Sequence, residues 1–322
     1  MNKRLIVGAA AIVFTFLAAP AFSQAPGSKP LRIVVPYPVG GIVDLMARTV
    51  SDGLSQKLGI PVIVDARPGA NSAIGTEAVA RSDPDGRTLL MATFAFAVTP
   101  HLQKVSFDPL ADFVGVAYMG EAVSVATVHP SVGVKDVKSF IQLAAAKPGE
   151  INFMVPGTGS SFTFSAILLQ HVNNIKLTAI NYKGVPQAVP DLLANRLQFG
   201  FFPPPLVTQF IAEGKLQAIG VTAPNRLRQL PAVATLTEQG FKTSQVNSWY
   251  AFAAPAKTPR GEIDRLNAAI NDVLRDPSTI QKVEQVGGSV GSGWTAADTT
   301  RLFADELARW GEIIRKLGIK AD

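Results

Sequence analysis

The chain has 322 residues, of which 47% are hydrophobic and 17% charged, with a formal net charge of +6 and no cysteine. This composition is typical of a folded protein of one large or two medium domains, and it excludes a disordered chain, disulfides, thiolate metal sites and cysteine nucleophiles. The positive charges are spread out, with no basic stripe and no interleaved aromatic residues, so we expect no nucleic-acid partner.

Residues 1–23 have the pattern of a secretory signal peptide. Lys3 and Arg4 precede an apolar run over residues 5–17, and small residues around Ala21 allow cleavage before Gln24. A transmembrane anchor is the alternative, but the run is short and no later segment is long and apolar enough to span a bilayer. We therefore expect an exported mature chain that resides in a bacterial periplasm.

Strand and helix patterns alternate along the rest of the chain. Apolar runs predict strands at residues 31–35, 61–65, 88–93, 151–155, 177–181, 197–201 and 216–221. Amphipathic patterns predict helices at residues 43–58, 72–81, 136–146, 160–172, 185–195, 204–213, 259–275 and 295–317. This order predicts an α/β fold of doubly wound, mostly parallel sheets.

Two further strand-like stretches, residues 123–128 and 249–254, each lead into a proline. We interpret them as the crossings between two lobes. Lobe 1 would comprise residues 24–122 and 251–322, and lobe 2 residues 123–250. One large open sheet is the alternative, but the number of strand–helix units favours two lobes.

The first strand is followed by a glycine-containing loop that opens a helix. The loop and the first helical turn contain Tyr37, Val39, Gly40, Gly41, Ile42, Val43 and Asp44. Unpaired amides and a positive dipole end at a helix start suit an anion, although a turn that merely needs glycine has the same pattern. Asp44 and Arg48 lie four residues apart, so we expect an ion pair that ties down this loop rather than ligand contact.

A second loop of this kind follows the strand at 151–155. It contains Gly157, Thr158, Gly159, Ser160, Ser161 and Phe162. Backbone amides and hydroxyls at a helix start again suit a carboxylate or phosphate. An ordinary N-cap, provided by Ser160 alone, is the alternative.

Other predicted strand ends add candidate ligand residues, because ligands in α/β sheets lie beyond the carboxyl ends of strands. These residues are Thr93, Phe94, Tyr182, Phe201 and Phe202. Phe94, Phe162 and Phe202 fall at predicted loop positions, where a large apolar side chain needs a cover, whereas Phe164 is expected in the core.

Catalytic patterns are missing. The chain has no G-x-S-x-G or H-E-x-x-H motif and no P-loop lysine, and its histidines at 101, 129 and 171 share no ligand-like spacing. We therefore expect no catalytic residue, no metal and no cofactor. A secreted hydrolase or lyase is a distant alternative.

Several motifs, in order along the mature chain, resemble the Bug family, the solute-binding receptors of tripartite tricarboxylate transporters. They include Val-Pro-Tyr-Pro-Val-Gly-Gly at 35–41, Asp-Ala-Arg-Pro-Gly-Ala at 65–70, Pro-Asp-Gly-Arg-Thr-Leu-Leu at 84–90, Tyr-Lys-Gly at 182–184 and Ala-Pro-Ala-Lys-Thr-Pro at 254–259. The resemblance implies a two-lobed periplasmic-binding-protein fold, type II-like, that closes by hinge motion on a small carboxylate. It also implies ligand loops starting at Tyr37, Thr93, Gly157, Tyr182 and Phe201, and one large and one small integral membrane partner. We expect the receptor itself to be a monomer.

The chain departs from this family pattern where apolar residues replace polar ones. Ile42 and Val43 lie at positions that are often polar in the family. Phe94 and Phe96 follow the third strand, where the family usually has small polar residues. Phe201, Phe202 and Pro203 end a strand that often carries an aspartate in the family. These residues favour an aromatic mono- or dicarboxylate. The alternatives are an aliphatic dicarboxylate or citrate site with these rings in the lobe cores, and a receptor of the same fold that feeds a two-component sensor.

Overall fold

The computed structural model describes residues 29–241, 246 and 248–319. The predicted signal peptide lies outside these residues. In the part of the chain that is described, no helix is both long and apolar enough to cross a membrane.

A six-stranded sheet forms the centre of the first lobe. In spatial order its strands are β11 (Gly288–Val290), β4 (Phe113–Ala122), β10 (Ser248–Pro255), β3 (Thr88–Thr93), β1 (Leu31–Val35) and β2 (Val62–Ala66). β1 pairs in parallel with β2 and β3, whereas β3–β10, β10–β4 and β4–β11 are antiparallel pairs. β1 and β3 have the predicted bounds. β1 is rich in Val and Ile and almost wholly buried, as a strand covered on both faces should be.

Helices cover both faces of this sheet. One face carries α1 (Ile42–Leu58), α8 (Arg260–Arg275) and α9 (Pro277–Gln285), and the other carries α2 (Ala73–Ala80), α3 (Phe94–Leu102) and α10 (Ala296–Leu317). α1 ends at Gly59, which adopts the left-handed conformation that closes many helices. α10 begins with a capping box between Thr295 and Asp298.

A five-stranded sheet forms the centre of the second lobe. Its spatial order is β7 (Thr178–Asn181), β6 (Asn152–Val155), β8 (Phe199–Phe202), β5 (Val125–Val128) and β9 (Gln217–Val221). α4 (Val137–Ala146), α5 (Ser161–Asn173), α6 (Val189–Leu193) and α7 (Pro204–Ala212) accompany it. β6 pairs in parallel with β7 and β8, whereas β5 is antiparallel to β8 and β9.

The α/β class and the division into two sheets are confirmed, but the sheets are mixed rather than mostly parallel. The cause is the set of strands β4, β5 and β10, which carry the chain between the sheets and are not consecutive members of a strand–helix–strand series. β5 lies wholly in the second sheet and β10 wholly in the first. Neither predicted crossing strand therefore runs between the sheets; each lies beside a point where the chain passes from one sheet to the other. The first such point is at residues 123–124.

Candidate functional site

Loop 1, residues 36–41, connects β1 to α1 at the carboxyl end of the first sheet. Gly40 has φ 79°, and the Gly41 amide donates to the Pro38 carbonyl at 3.3 Å. Gly41 is the N-cap of α1 and gives no side-chain capping bond, so the amides of Ile42 and Val43 remain helix-start donors. Val39 is 69% exposed at the tip. The loop therefore presents backbone donors at the positive end of a helix.

Asp44, in the first turn of α1, holds loop 1 in place. Its side chain is 1% exposed, and it accepts hydrogen bonds from the Gly40 amide at 3.0 Å and from Arg48 Nε and Nη2 at 2.9 and 3.0 Å. Burial alone would raise the pKa of Asp44, but the bonds from Arg48 and Gly40 outweigh it and hold that pKa below its ordinary value. The predicted ion pair is confirmed, and Asp44 also bonds the loop through the Gly40 amide.

Tyr37 and Thr93 meet behind loop 1. The two hydroxyl oxygens lie 3.1 Å apart, and Thr93 is buried at the last position of β3. Burial raises the pKa of Tyr37 despite the bond to Thr93, so the phenol is neutral. Phe94 was predicted in a loop, but it is the first residue of α3, which begins directly at the end of β3.

Loop 2, residues 156–160, connects β6 to α5 and is organised by hydroxyls. Ser160 Oγ accepts from the Thr163 amide at 3.2 Å and lies 2.9 Å from Thr163 Oγ1, which donates to the Gly157 carbonyl at 2.8 Å. Gly157 has φ 138°, which favours glycine. Thr158 is half-buried between these residues. Ser160 is therefore an N-cap, as in the alternative interpretation of this loop. Its side chain accepts from the Thr163 amide, so the amides of Ser161 and Phe162 remain helix-start donors.

Loop 2 lies against the first lobe. A Cβ atom at Gly159 would lie 3.0 Å from Oγ1 of Thr99, in α3, and 3.6 Å from Cβ of Asn71. Thr99 Oγ1 in turn donates to the Asn71 carbonyl at 2.8 Å. Residues 70–72 are consecutive and left-handed, with φ 46°, 51° and 75°. Loop 2 therefore packs against a turn whose backbone conformation is strained.

This turn was not predicted, because the predicted helix began at Ser72. A signal was present in Gly69-Ala70-Asn71-Ser72, small and polar residues of which Asn tolerates the left-handed region. The missed residues also include Ser248 and Tyr250 of β10. Ser248 contacts Ser161 at the start of α5, so β10 too lies beside the candidate site.

The lobes also meet on the opposite flank. A Cβ atom at Gly287, just before β11, would lie 2.9 Å from Cδ of Pro205 and 3.3 Å from Cδ of Pro204. These prolines are the first two residues of α7 and have no N–H. The predicted ligand loop at Phe201 and Phe202 therefore leads into a helix that lacks the amide donors that α1, α3 and α5 offer.

The phenylalanines predicted at the site are core residues. Phe94 is 2% exposed and packs edge-on against Phe164 and Trp310, with ring centroids 5.2 and 4.8 Å apart. Phe201 and Phe202 are buried in β8 among the second lobe's core, and Phe162 is the second residue of α5. The expectation that Phe94, Phe162 and Phe202 occupy loops is wrong, because Phe94 begins α3, Phe162 lies in the first turn of α5, and Phe202 ends β8. Phe164 is in the core, as predicted.

Tyr182 is half-buried at the end of β7, and its hydroxyl donates to Asp191 Oδ2 at 3.0 Å. Burial and this bond raise the pKa of Tyr182 to about 12. Three pairs of candidate side chains are thus engaged with one another: Tyr37 with Thr93, Asp44 with Arg48, and Ser160 with Thr163. The backbone amides at the helix starts are further donors, which suit a bound anion. Among the described residues no group of acids and histidines could hold a metal ion.

Comparisons with known proteins bear on the family and the fold. A family model described as the tripartite tricarboxylate transporter family receptor matches residues 46–319. Protein BugT of Bordetella pertussis is 31% identical over an alignment of 324 positions that covers 99% of each chain. The solved periplasmic binding protein BugD has a TM-score of 0.82 at 26% identity, covering 91% of this chain and 99% of that one. The R. palustris protein Rpa4515, solved with adipate, has a TM-score of 0.82 at 27% identity, covering 90% and 98%.

Proposed function

We propose that this chain, which belongs to the tripartite tricarboxylate transporter receptor family, captures a small carboxylate between its two lobes and delivers it to a membrane transporter. One observation carries the proposal: loops 1 and 2, one from each lobe, both present helix-start amides at strand ends. Two such anion sites on facing lobes suit a ligand with two negative groups.

The ligand we propose is an aliphatic dicarboxylate with few hydroxyls, such as adipate. The rings that favoured an aromatic acid pack into cores, so they leave no stacking surface to a ligand. The hydroxyls of Tyr37, Ser160 and Tyr182 are already paired, so a ligand hydroxyl placed against them would lose water without gaining a free partner, at about 1–3 kcal/mol. The adipate bound to Rpa4515 has this chemistry.

The receptor works by hinge motion and without a chemical step. We propose lobe 1 at residues 24–122 and 248–322, rather than the predicted 251–322, because β10 lies wholly in the first sheet. Lobe 2 is the part of the chain between them, and the chain at the crossings acts as the hinge. The mature chain would begin at Gln24 after removal of the signal peptide, reside in the periplasm as a monomer, and dock in its closed form on the large and small membrane subunits.

A thermal-shift screen of residues 24–322 tests this function. The panel is adipate, malate, citrate and benzoate, each with its neutral methyl ester as the matched control. A ligand at 100 times its Kd adds about 2.7 kcal/mol to the free energy of unfolding. We expect adipate to raise the Tm and dimethyl adipate to leave it unchanged. A response to benzoate alone would favour the aromatic alternative, and no response to any acid would contradict the proposal.

A further inference from the structure

A series of neighbouring hydroxyl groups lies where the two lobes meet, at the start of β10. We refer to Ser161, Ser248, Tyr250, Thr93 and Tyr37 as the hydroxyl run. Ser161, the first residue of α5, is buried, and its Oγ contacts Oγ of Ser248, the first residue of β10, 87 positions along the chain. α5 belongs to the second lobe and β10 to the first sheet. This contact therefore ties the start of the loop-2 helix to the other lobe.

The run continues from Ser248 to loop 1. Tyr250 lies two residues further on the same face of β10 and is 1% exposed, and the neighbouring Ser248 hydroxyl acts to lower the pKa of its phenol. Tyr250 is directly opposite Thr93 in the β10–β3 pairing, and Thr93 holds Tyr37 at 3.1 Å. Burial, and then the neighbouring Tyr37, raise the pKa of Tyr250, so every member of the run is a neutral hydroxyl.

The other face of β10 also supports α5. Trp249 Nε1 donates to Glu306 Oε2 at 3.0 Å, and the same oxygen accepts from Trp310 Nε1 at 2.9 Å. Trp310 packs against Phe164 of α5 with ring centroids 5.5 Å apart. β10 thus contacts α5 directly through Ser248. It is also connected to Phe164 of α5 indirectly, through Glu306 and Trp310.

We infer that Ser248 and Tyr250 are positioning residues of the ligand cleft, which hold the amides of loop 2 in register with those of loop 1. The inference rests on the proposed function, since the object positioned is the pair of anion loops. A ligand that bridges the loops gains most when both are held before it arrives, because ordering them afterwards costs affinity. Losing either hydroxyl should therefore weaken binding even though neither residue reaches the ligand.

Hydrogen exchange of the ligand-free protein tests the bridge itself. We compare Ser248→Ala and Tyr250→Phe with Ser165→Ala, whose hydroxyl lies on α5 one turn beyond Ser161, fully buried and without a hydrogen-bond partner. Loss of one hydrogen bond should speed exchange at residues 157–165 by roughly 5-fold in Ser248→Ala. Ser165→Ala should exchange like the wild type, because it loses no bond.

Titration calorimetry with adipate completes the test. We expect the Kd to rise roughly 3- to 10-fold in Ser248→Ala and Tyr250→Phe, and to stay within about twofold in Ser165→Ala. A purely structural role would lower the Tm and leave the Kd unchanged. Wild-type exchange or wild-type affinity in Ser248→Ala would overturn the inference. A wild-type protein that binds no adipate would remove its premise, while the exchange data would still report on the bridge alone.

Discussion

The two loops of the cleft present the same kind of donor but are built differently. Loop 1 is held by a buried charge, since Asp44 binds both the Gly40 amide and the Arg48 guanidinium. Loop 2 is held by neutral hydroxyls, Ser160 and Thr163, which close on the Gly157 carbonyl. A carboxylate that holds such a loop would repel a bound anion unless a cation cancels its charge, whereas hydroxyls add no repulsion of their own.

The loops also differ in what surrounds them. Loop 1 has an exposed tip and is fixed within its own lobe. Loop 2 lies against Asn71 and Thr99 of the other lobe, and α5 behind it is buried from both sides: Phe162 packs in the second lobe's core, and Phe164 in the cluster on the first sheet. The position of loop 2 therefore depends on both lobes.

Phe164→Ala should give the largest effect and tests this dependence. The side chain is fully buried against Phe94 and Trp310, so its loss should lower the free energy of unfolding by about 3–5 kcal/mol. Urea unfolding measures the change. Phe164→Leu, which keeps most of the volume, is the control and should lose less than about 1.5 kcal/mol. Equal losses in the two variants would show that Phe164 is not a close-packed contact between the lobes.

Asp44→Asn tests the charged arrangement of loop 1. The variant keeps the shape of the side chain but weakens the bonds from Gly40 and Arg48, so we expect a loss of about 1.5–3 kcal/mol in urea unfolding and weaker adipate binding. Asp52→Asn, at an exposed position of the same helix, is the matched control and should stay within about 0.5 kcal/mol of the wild type. A similar loss in both would assign the effect to net charge.

Acid should abolish the contribution of Asp44. Its folded-state pKa lies below the ordinary value of 3.8, so its stabilisation is present above 3.8 and is lost as the pH falls through the folded-state pKa. The difference in unfolding free energy between wild type and Asp44→Asn should therefore shrink as the pH is lowered below 3.8. Urea unfolding at a series of acidic pH values measures it. A difference that stays constant would mean that the Asp44 charge does not stabilise the loop.

Ser160→Ala tests the neutral arrangement of loop 2 and should give the smallest effect. Loss of an N-cap hydroxyl costs about 1 kcal/mol. Because no charge is involved, the loss should be the same across the acidic range over which the Asp44→Asn difference shrinks. A loss that changed with pH as that difference does would remove the contrast between the loops.

Much of the framework was predictable because it is local. β1 lies between Pro30 and Pro36, which fix both of its ends. β3 begins just after the Asp-Gly turn that precedes Arg87. The ion pair of Asp44 and Arg48 follows from helical spacing alone. The strand–loop–helix units of loops 1 and 2 were predictable for the same reason, since each is short and local.

The rest depends on contacts between distant residues. α3 carries Phe94, Phe96 and Pro100, a short apolar run that periodicity does not assign to helix or strand, so its rings were placed in a ligand loop. The left-handed turn at Asn71 and the contact of Ser248 with Ser161 join segments far apart in sequence. Only the packing of both lobes shows which rings are buried.

A crystal structure with adipate tests the central account most directly. We predict one carboxylate within hydrogen-bond distance of the α1 amides at Ile42 and Val43, and the other at the α5 amides that follow Ser160, with the chain of methylenes between the lobes. Adipate bound elsewhere, or bound by one loop with its second carboxylate in solvent, would contradict the account of two facing anion loops.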